Sequence, residues 1–178
     1  MIYEPREDSY LLAKYVKKCA KGRVLDMGTG SGIQALTALE KTKEVEAVDV
    51  NKEAVKLVKS KGVNAYVSDL FSNIKGKFDL IIFNPPYLPL EKKYCSIKLD
   101  VNYVNDVAIV GGKKGSEIIE RFFKQASKYL KKEGKILIVV SSLTPKVEKI
   151  MKENNFKFRI LEKKRIFFEE LKVYIVKK

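Results

Sequence analysis

The sequence predicts an α/β domain: a seven-stranded, mostly parallel sheet with helices on both faces and one antiparallel hairpin at its end. Three observations carry this. Strand-like and helix-like periodicities alternate along the chain in βαβαβ order, which calls for a parallel sheet with crossover helices. Within Lys135–Val140 every residue after the first is apolar, as a strand buried on both faces should be. The last two strands are separated only by residues 165–170, too few for a crossover, so they must pair antiparallel.

In chain order, Glu7–Lys18 sets Tyr10, Leu11, Leu12, Ala13 and Val16 along a helical stripe. Arg23–Met27 is a short apolar strand, Gly28–Gly32 a glycine-rich turn and Ile33–Glu40 a helix. Val45–Val50 is a strand. Lys52–Lys61 is a helix with Ala54, Val55 and Val58 inward, stopped by Gly62. Strands follow at Val63–Val67 and at Phe78–Phe83, the latter ended by two prolines. Ser116–Leu130 is a helix whose apolar face is Ile118, Ile119, Phe122, Phe123 and Ala126, with Gly134 just beyond. Pro145–Asn154 is a helix with proline in its first turn. Strands at Lys157–Lys164 and Leu171–Val176 close the sheet. The whole of 1–178 reads as one domain, with 1–22 a helical cap, 23–178 the sheet core and 88–114 a long substrate-side loop. Tyr94, Tyr103, Lys92 and Lys93 can face a substrate from that loop, which can equally be read as a partly disordered, solvated segment.

Composition narrows the chemistry. The chain has 178 residues and no histidine, which removes Ser/His and Cys/His catalysis and any imidazole base or ligand. Its two cysteines, Cys19 and Cys95, are too far apart for a metal knuckle, so no metal site is expected, and the setting is read as reducing and cytoplasmic. No apolar run is long enough to span a membrane. The net charge of +14 is uneven: residues 1–112 carry +3 and residues 113–178 carry +11. A basic C-terminal third can contact RNA or a ribosome-bound partner. It can equally be a lysine-rich solvated surface, since only 5 of the 36 basic residues are arginine.

The turn Asp26-Met27-Gly28-Thr29-Gly30-Ser31-Gly32 lies where the first strand enters its helix. Glycines there let backbone approach a ligand closely. The spacing is not the G-x-G-x-x-G of a dinucleotide site, which makes NAD or FAD less favoured, and no Gly-Lys-Ser/Thr follows, which excludes a Walker loop. Asp49, followed by Val50, ends the second strand, where a carboxylate can accept both hydroxyls of a ribose. Asp69 ends the third, placed to accept from an adenine amino group with Leu70 against the ring. Each aspartate alone reads as well as a helix or turn cap. Three acids at three consecutive strand ends suit a nucleoside that carries no phosphate and is cationic, namely S-adenosylmethionine.

Asn84-Pro85-Pro86-Tyr87 ends the fourth strand. An amide or exocyclic amine is a poor nucleophile because its lone pair is delocalised. The Asn84 side-chain oxygen and the Pro85 carbonyl can accept its two N–H bonds and stabilise the positive charge that develops on methylation. Pro85 and Pro86 hold the carbonyl rigid, and Tyr87 offers a stacking face. The acceptor can be adenine, guanine or glutamine; the motif does not choose.

Seven strands closed by one antiparallel hairpin describe the Rossmann-like sheet of class I S-adenosylmethionine-dependent methyltransferases. Over nearly its whole length the chain resembles the short, archaeal and eukaryotic branch of the HemK family of protein glutamine methyltransferases. Tyr3-Glu4-Pro5-Arg6-Glu7-Asp8-Ser9 carries most of the resemblance, with Asp26 to Gly32, Asp49, Asp69, Asn84 to Tyr87 and Gly111-Gly112-Lys113-Lys114-Gly115. The family often has Trp before the Gly-Gly loop, where this chain reads Ala108-Ile109-Val110. The resemblance implies catalysis by Asn84, Pro85, Pro86 and Tyr87. It implies cofactor contacts from Ser9, Asp26, Gly28, Thr29, Gly30, Gly32, Asp49, Val50, Asp69, Leu70 and Asn84. Ser9 would touch the methionine end, although Asp8 or Ser9 can also be read as a cap of the first helix. The implied substrate is the Gly-Gly-Gln loop of a class I translation termination factor. The implied partner is a small zinc-binding activator subunit at the Val63–Val67 edge. An amino methyltransferase of nucleic acid or a lysine methyltransferase are the alternatives.

Overall fold

The computed structural model describes residues 2–87, 111–167 and 169–178. The loop residues Tyr94, Tyr103, Lys92 and Lys93, and the Ala108–Val110 departure, lie outside them. The elements are α1 (Glu7–Cys19), β1 (Val24–Met27), α2 (Ile33–Leu39), β2 (Val45–Asp49), α3 (Lys52–Ser60), β3 (Asn64–Val67) and β4 (Phe78–Phe83). Then come α4 (Glu117–Ala126), β5 (Leu130–Ser141), α5 (Val147–Glu153), β6 (Lys157–Ile166) and β7 (Glu169–Lys177). The strands form one sheet in the order β3-β2-β1-β4-β5-β7-β6, parallel through β5 and antiparallel at both β7 pairings. This is the architecture the sequence predicts, the class I methyltransferase sheet.

Side chains alternate between two apolar layers, as the two-residue period of a strand requires. Leu25, Met27, Ile81, Phe83, Ile136 and Ile138 pack under α4 and α5 with Phe122, Phe123 and Met151. Val24, Leu80, Ile82, Leu137 and Val139 pack under α1, α2 and α3 with Leu12, Val16, Ala35 and Val58. Burial on both faces explains why the central strands are apolar throughout. Under α4 the rings are nested: Phe83 and Phe122 are 4.6 Å apart, and Phe71 stacks on Tyr129 at 4.5 Å.

At three places the boundaries differ from the sequence reading by more than one residue. α4 stops at Ala126 rather than Leu130, because Leu130 pairs with Phe78 and opens β5, and the Phe78 amide donates to the Tyr129 carbonyl at 2.8 Å. α5 begins at Val147 with Pro145 outside it, because Lys146 sits in the left-handed region at φ 62° and cannot be a helical residue. β6 and β7 run further toward each other than the apolar pattern reaches, because charged residues continue the ladder: Arg165 pairs with Glu170.

Candidate active site

The carboxyl ends of β1, β2 and β4 meet at one edge, where ligands of open α/β sheets bind. On one side stands the glycine turn. Gly32 is at φ 86°, and a Cβ there would come within 2.9 Å of the Val58 side chain, so only glycine fits. Three amides of the turn are already committed inside the protein. Thr29 N–H donates to the Val48 carbonyl at 2.9 Å, Gly30 N–H to Asp49 Oδ2 at 2.9 Å and Gly32 N–H to the Thr29 carbonyl at 2.8 Å. A phosphate cradle needs such amides pointing outward. Their inward use fits a ligand without phosphate.

Asp26 is 1% exposed. Its Oδ2 accepts from Thr29 Oγ1 at 2.6 Å and from the Ala35 amide at 3.1 Å. Burial pushes its carboxyl up to about 7, against the pull of those two hydrogen bonds. Asp49 is half-buried and accepts from Gly30 on one oxygen and from the Asn51 amide, at 2.9 Å, on the other, which fixes its plane at the end of β2. Val50 beside it is exposed. Leu70 is buried at φ 48°, a strained value for a bulky residue, with its carbonyl held by Ser68 Oγ at 2.7 Å. Asp69 is brought to the same edge, but its carboxylate is exposed and paired with Arg121 at 2.7 Å. Carboxylates at the ends of β1 and β2, an apolar Val50–Leu70 flank and a glycine backbone fit S-adenosylmethionine.

On the other side stands Asn84 at the end of β4. Its Nδ2 donates to Asp8 Oδ2 at 3.1 Å and lies 3.4 Å from Ser9 Oγ. Its Oδ1 is buried and has no hydrogen-bond partner. The amide thus turns its donors toward the carboxylate and leaves its oxygen as the unused acceptor. Asp8 is 4% exposed and collects further donors, from the Tyr87 hydroxyl at 3.1 Å, the Tyr3 hydroxyl at 3.0 Å, and the Ser9 amide and hydroxyl at 2.6 and 3.1 Å. Burial, reinforced by the Asp8 charge, drives both tyrosine hydroxyls well above the usual phenol range, so both remain donors. The Tyr87 carbonyl accepts from Thr144 Oγ1 at 3.1 Å, which ties the motif to the loop after β5. A Cβ on Gly111 would run into the carbonyls of Pro86 and Gly115, so the Gly-Gly loop packs directly on the motif. The backbone of Tyr3 also passes 3.8 Å from where a Gly30 Cβ would stand. The N-terminal arm thus joins the two sides.

Asp8, Tyr3 and Thr144 are the site residues missed by residue-type reasoning. The cap reading of Asp8 and Ser9 is not what forms: α1 is capped at Arg6, without a side-chain cap. The signal available was the density of the Tyr3 to Ser9 motif, which a mere helix start does not require. Among the described residues no cluster of acids and cysteines could hold a metal, and no helix is long and apolar enough to cross a membrane.

The model of the methyltransferase small domain family matches residues 6–102. A Methanocaldococcus jannaschii protein, provisionally named as a protein N5-glutamine methyltransferase, is 41% identical over 97% of this chain and 89% of its own length. The release factor glutamine methyltransferase of Streptococcus pneumoniae is 36% identical over 66% of this chain, which spans 45% of that protein. Among solved structures, the E. cuniculi Mtq2–Trm112 complex, described as responsible for methylation of the eRF1 termination factor, superposes with a TM-score of 0.79. It is 26% identical over 99% of this chain and 98% of that one. The chain belongs to the methyltransferase small domain family and, within it, to the HemK-type protein glutamine N-methyltransferases, enzymes that depend on S-adenosylmethionine.

Proposed function

We propose that this enzyme methylates the side-chain amide nitrogen of the glutamine in the Gly-Gly-Gln loop of a class I translation termination factor. The observation that carries the chemistry is the buried, unpartnered Asn84 Oδ1, whose amide nitrogen is held by Asp8. A buried acceptor without a partner is costly unless a ligand satisfies it. A planar primary amide offers two N–H donors in one plane, one for Asn84 Oδ1 and one for the Pro85 carbonyl.

Bound at the glycine turn, S-adenosylmethionine supplies a methyl group on a positively charged sulfur. Asn84 and Pro85 then hold the two substrate N–H bonds and stabilise the charge that builds on nitrogen as its fourth bond forms. Tyr87 packs on the amide plane, its own hydroxyl anchored by Asp8. The surplus proton leaves an N-protonated amide, so acidic that water accepts it and no side-chain base is needed. The release factor as substrate is supported by the S. pneumoniae relative and by the E. cuniculi complex, each described as acting on such a factor. A small zinc-binding activator subunit would pair with β3, one of the two edge strands, where Asn64 and Val67 are exposed.

The test is methyl transfer from labelled cofactor to the host's termination factor, to its Gln→Ala loop variant, and to total RNA and DNA, with and without the activator. Label on the wild-type factor alone is expected. Label on nucleic acid with the factor silent would replace this reading with an amino methyltransferase of bases.

A further inference from the structure

A single cross-strand row at the end of the sheet away from Asn84 runs Val45, Val24, Leu80, Lys135, Lys177, Lys157. Its first three members are buried, under α1, α2 and α3. Its last three are lysines directly opposite one another, on neighbouring strands about 4.8 Å apart. Lys157 and Lys177 are exposed and Lys135 is half-buried. Arg159, two positions beyond Lys157, is exposed and points to the same face. Lys18, in the last turn of α1, is exposed and lies at 5.3 Å over the ring of Tyr15, whose hydroxyl reaches Leu161 and Glu162 on β6.

None of these five cations has an ion pair in the described residues. The nearby carboxylate, Glu162, is already taken by Lys14 at 2.6 Å and the Tyr15 hydroxyl at 2.7 Å. Like charges directly opposite destabilise a ladder. Protection of an exposed edge would explain lysine on β6, an edge strand, but not on β7 and β5, which have neighbours on both sides.

We propose that this row, with Arg159 and Lys18, is a docking surface for the phosphodiester backbone of RNA. Lysine binds phosphate as a point charge and carries no base code, so the contact is independent of sequence. Leu80 stands four residues from Asn84 on β4, about 13 Å of strand, so a bound chain leaves the active site open. The surface would hold the enzyme near an RNA-rich assembly while the opposite end of the sheet works on protein. It does not depend on which substrate that end takes.

The test is fluorescence anisotropy of the full chain with a labelled mixed-sequence single-stranded RNA across a salt series. A duplex DNA, polyglutamate and inorganic phosphate serve as competitors. With five cations engaged, the slope of log K on log salt should be about −3.5 for a single strand, at roughly −0.7 per phosphate neutralised. The variant Lys135→Gln/Lys157→Gln/Lys177→Gln should lower the steepness by about 2 and weaken binding at least ~10-fold, with methyl transfer unchanged. A control on the other face, Lys124→Gln/Lys149→Gln, should change neither. Equal loss in both variants, or an unchanged slope in the triple variant, would overturn the proposal. Competition by polyglutamate as strong as by nucleic acid would instead assign the surface to an acidic protein.

Discussion

Asp49 and Asp8 anchor the two sides of one cleft, and they are held in opposite ways. Asp49 is fixed by amides two and nineteen positions away, Asn51 and Gly30, at one end of the β1-α2-β2 unit. Asp8 is fixed from next door, by Ser9, and from Asn84 and Tyr87, 76 and 79 positions away. The first arrangement is backbone geometry, set as soon as glycine occupies the turn. The second is a side-chain network that exists only once α1 is docked against β4. Cofactor binding therefore rests on local structure and the methyl-accepting geometry on tertiary structure, so the two should fail separately.

Asn84→Ala gives the largest separation. Turnover should fall on the order of 10²-fold or more, with cofactor affinity kept. Asp49→Ala should invert the pattern, raising the cofactor Kd by roughly 10- to 150-fold, in line with a charged acceptor of about 1.5–3 kcal/mol. Steady-state kinetics with equilibrium dialysis of the cofactor reads both, and parallel losses in the two variants would dissolve the distinction.

Asp8→Ala tests the network. It leaves Asn84 Nδ2 and the hydroxyls of Tyr3 and Tyr87 without their acceptor. Stability should drop by about 1–3 kcal/mol for the buried donors left unmade. Turnover should drop further than cofactor affinity, since the Asn84 amide is then free to flip. Denaturant melts with and without cofactor separate the two effects.

What could be read in advance follows the same division. The sheet order, the hairpin and the glycine turn come from periodicity and turn chemistry, both local, and they are where the sequence reading matches the structure. Asn84 to Tyr87 stood out because proline after a strand is informative at short range. Asp8 did not, because a carboxylate at a helix start has a satisfactory local explanation, and only the fold reveals that its partners lie on β4. Thr144 was invisible for the same reason: nothing near it marks a hydroxyl that reaches the Tyr87 carbonyl. Asp69 shows the converse. Its position at a strand end was legible, but its pairing with Arg121 on α4 was not.

Gly32→Ala probes the locally built side. The left-handed backbone at this position costs a Cβ-bearing residue about 1–2 kcal/mol, before Val58 is displaced. Thermal melts should show the loss, with cofactor affinity falling and the Asn84 geometry spared.

The smallest and most specific effect is in pH. The Asp26 carboxyl is raised to about 7 by burial, so the folded state binds this proton more tightly than the unfolded chain does. Its contribution to stability is full below the ordinary carboxylate range and is lost as pH rises through about 7. Asp26→Asn should flatten that decline in melting temperature between mildly acidic and neutral pH. A wild-type profile identical to that of the variant would count against a protonated Asp26.

The strand order has a consequence for how the chain is made. β7 lies between β5 and β6, although it is synthesised after both. When a ribosome has produced residues 1–166, β5 has β4 on one side and an open hydrogen-bonding edge on the other, along Ile136 to Val140. That edge is long, apolar and able to pair with another nascent chain. It closes only when Leu171 to Val176 emerge and insert. A ribosome stalled just short of that point would hold a nearly complete enzyme with its central strand exposed.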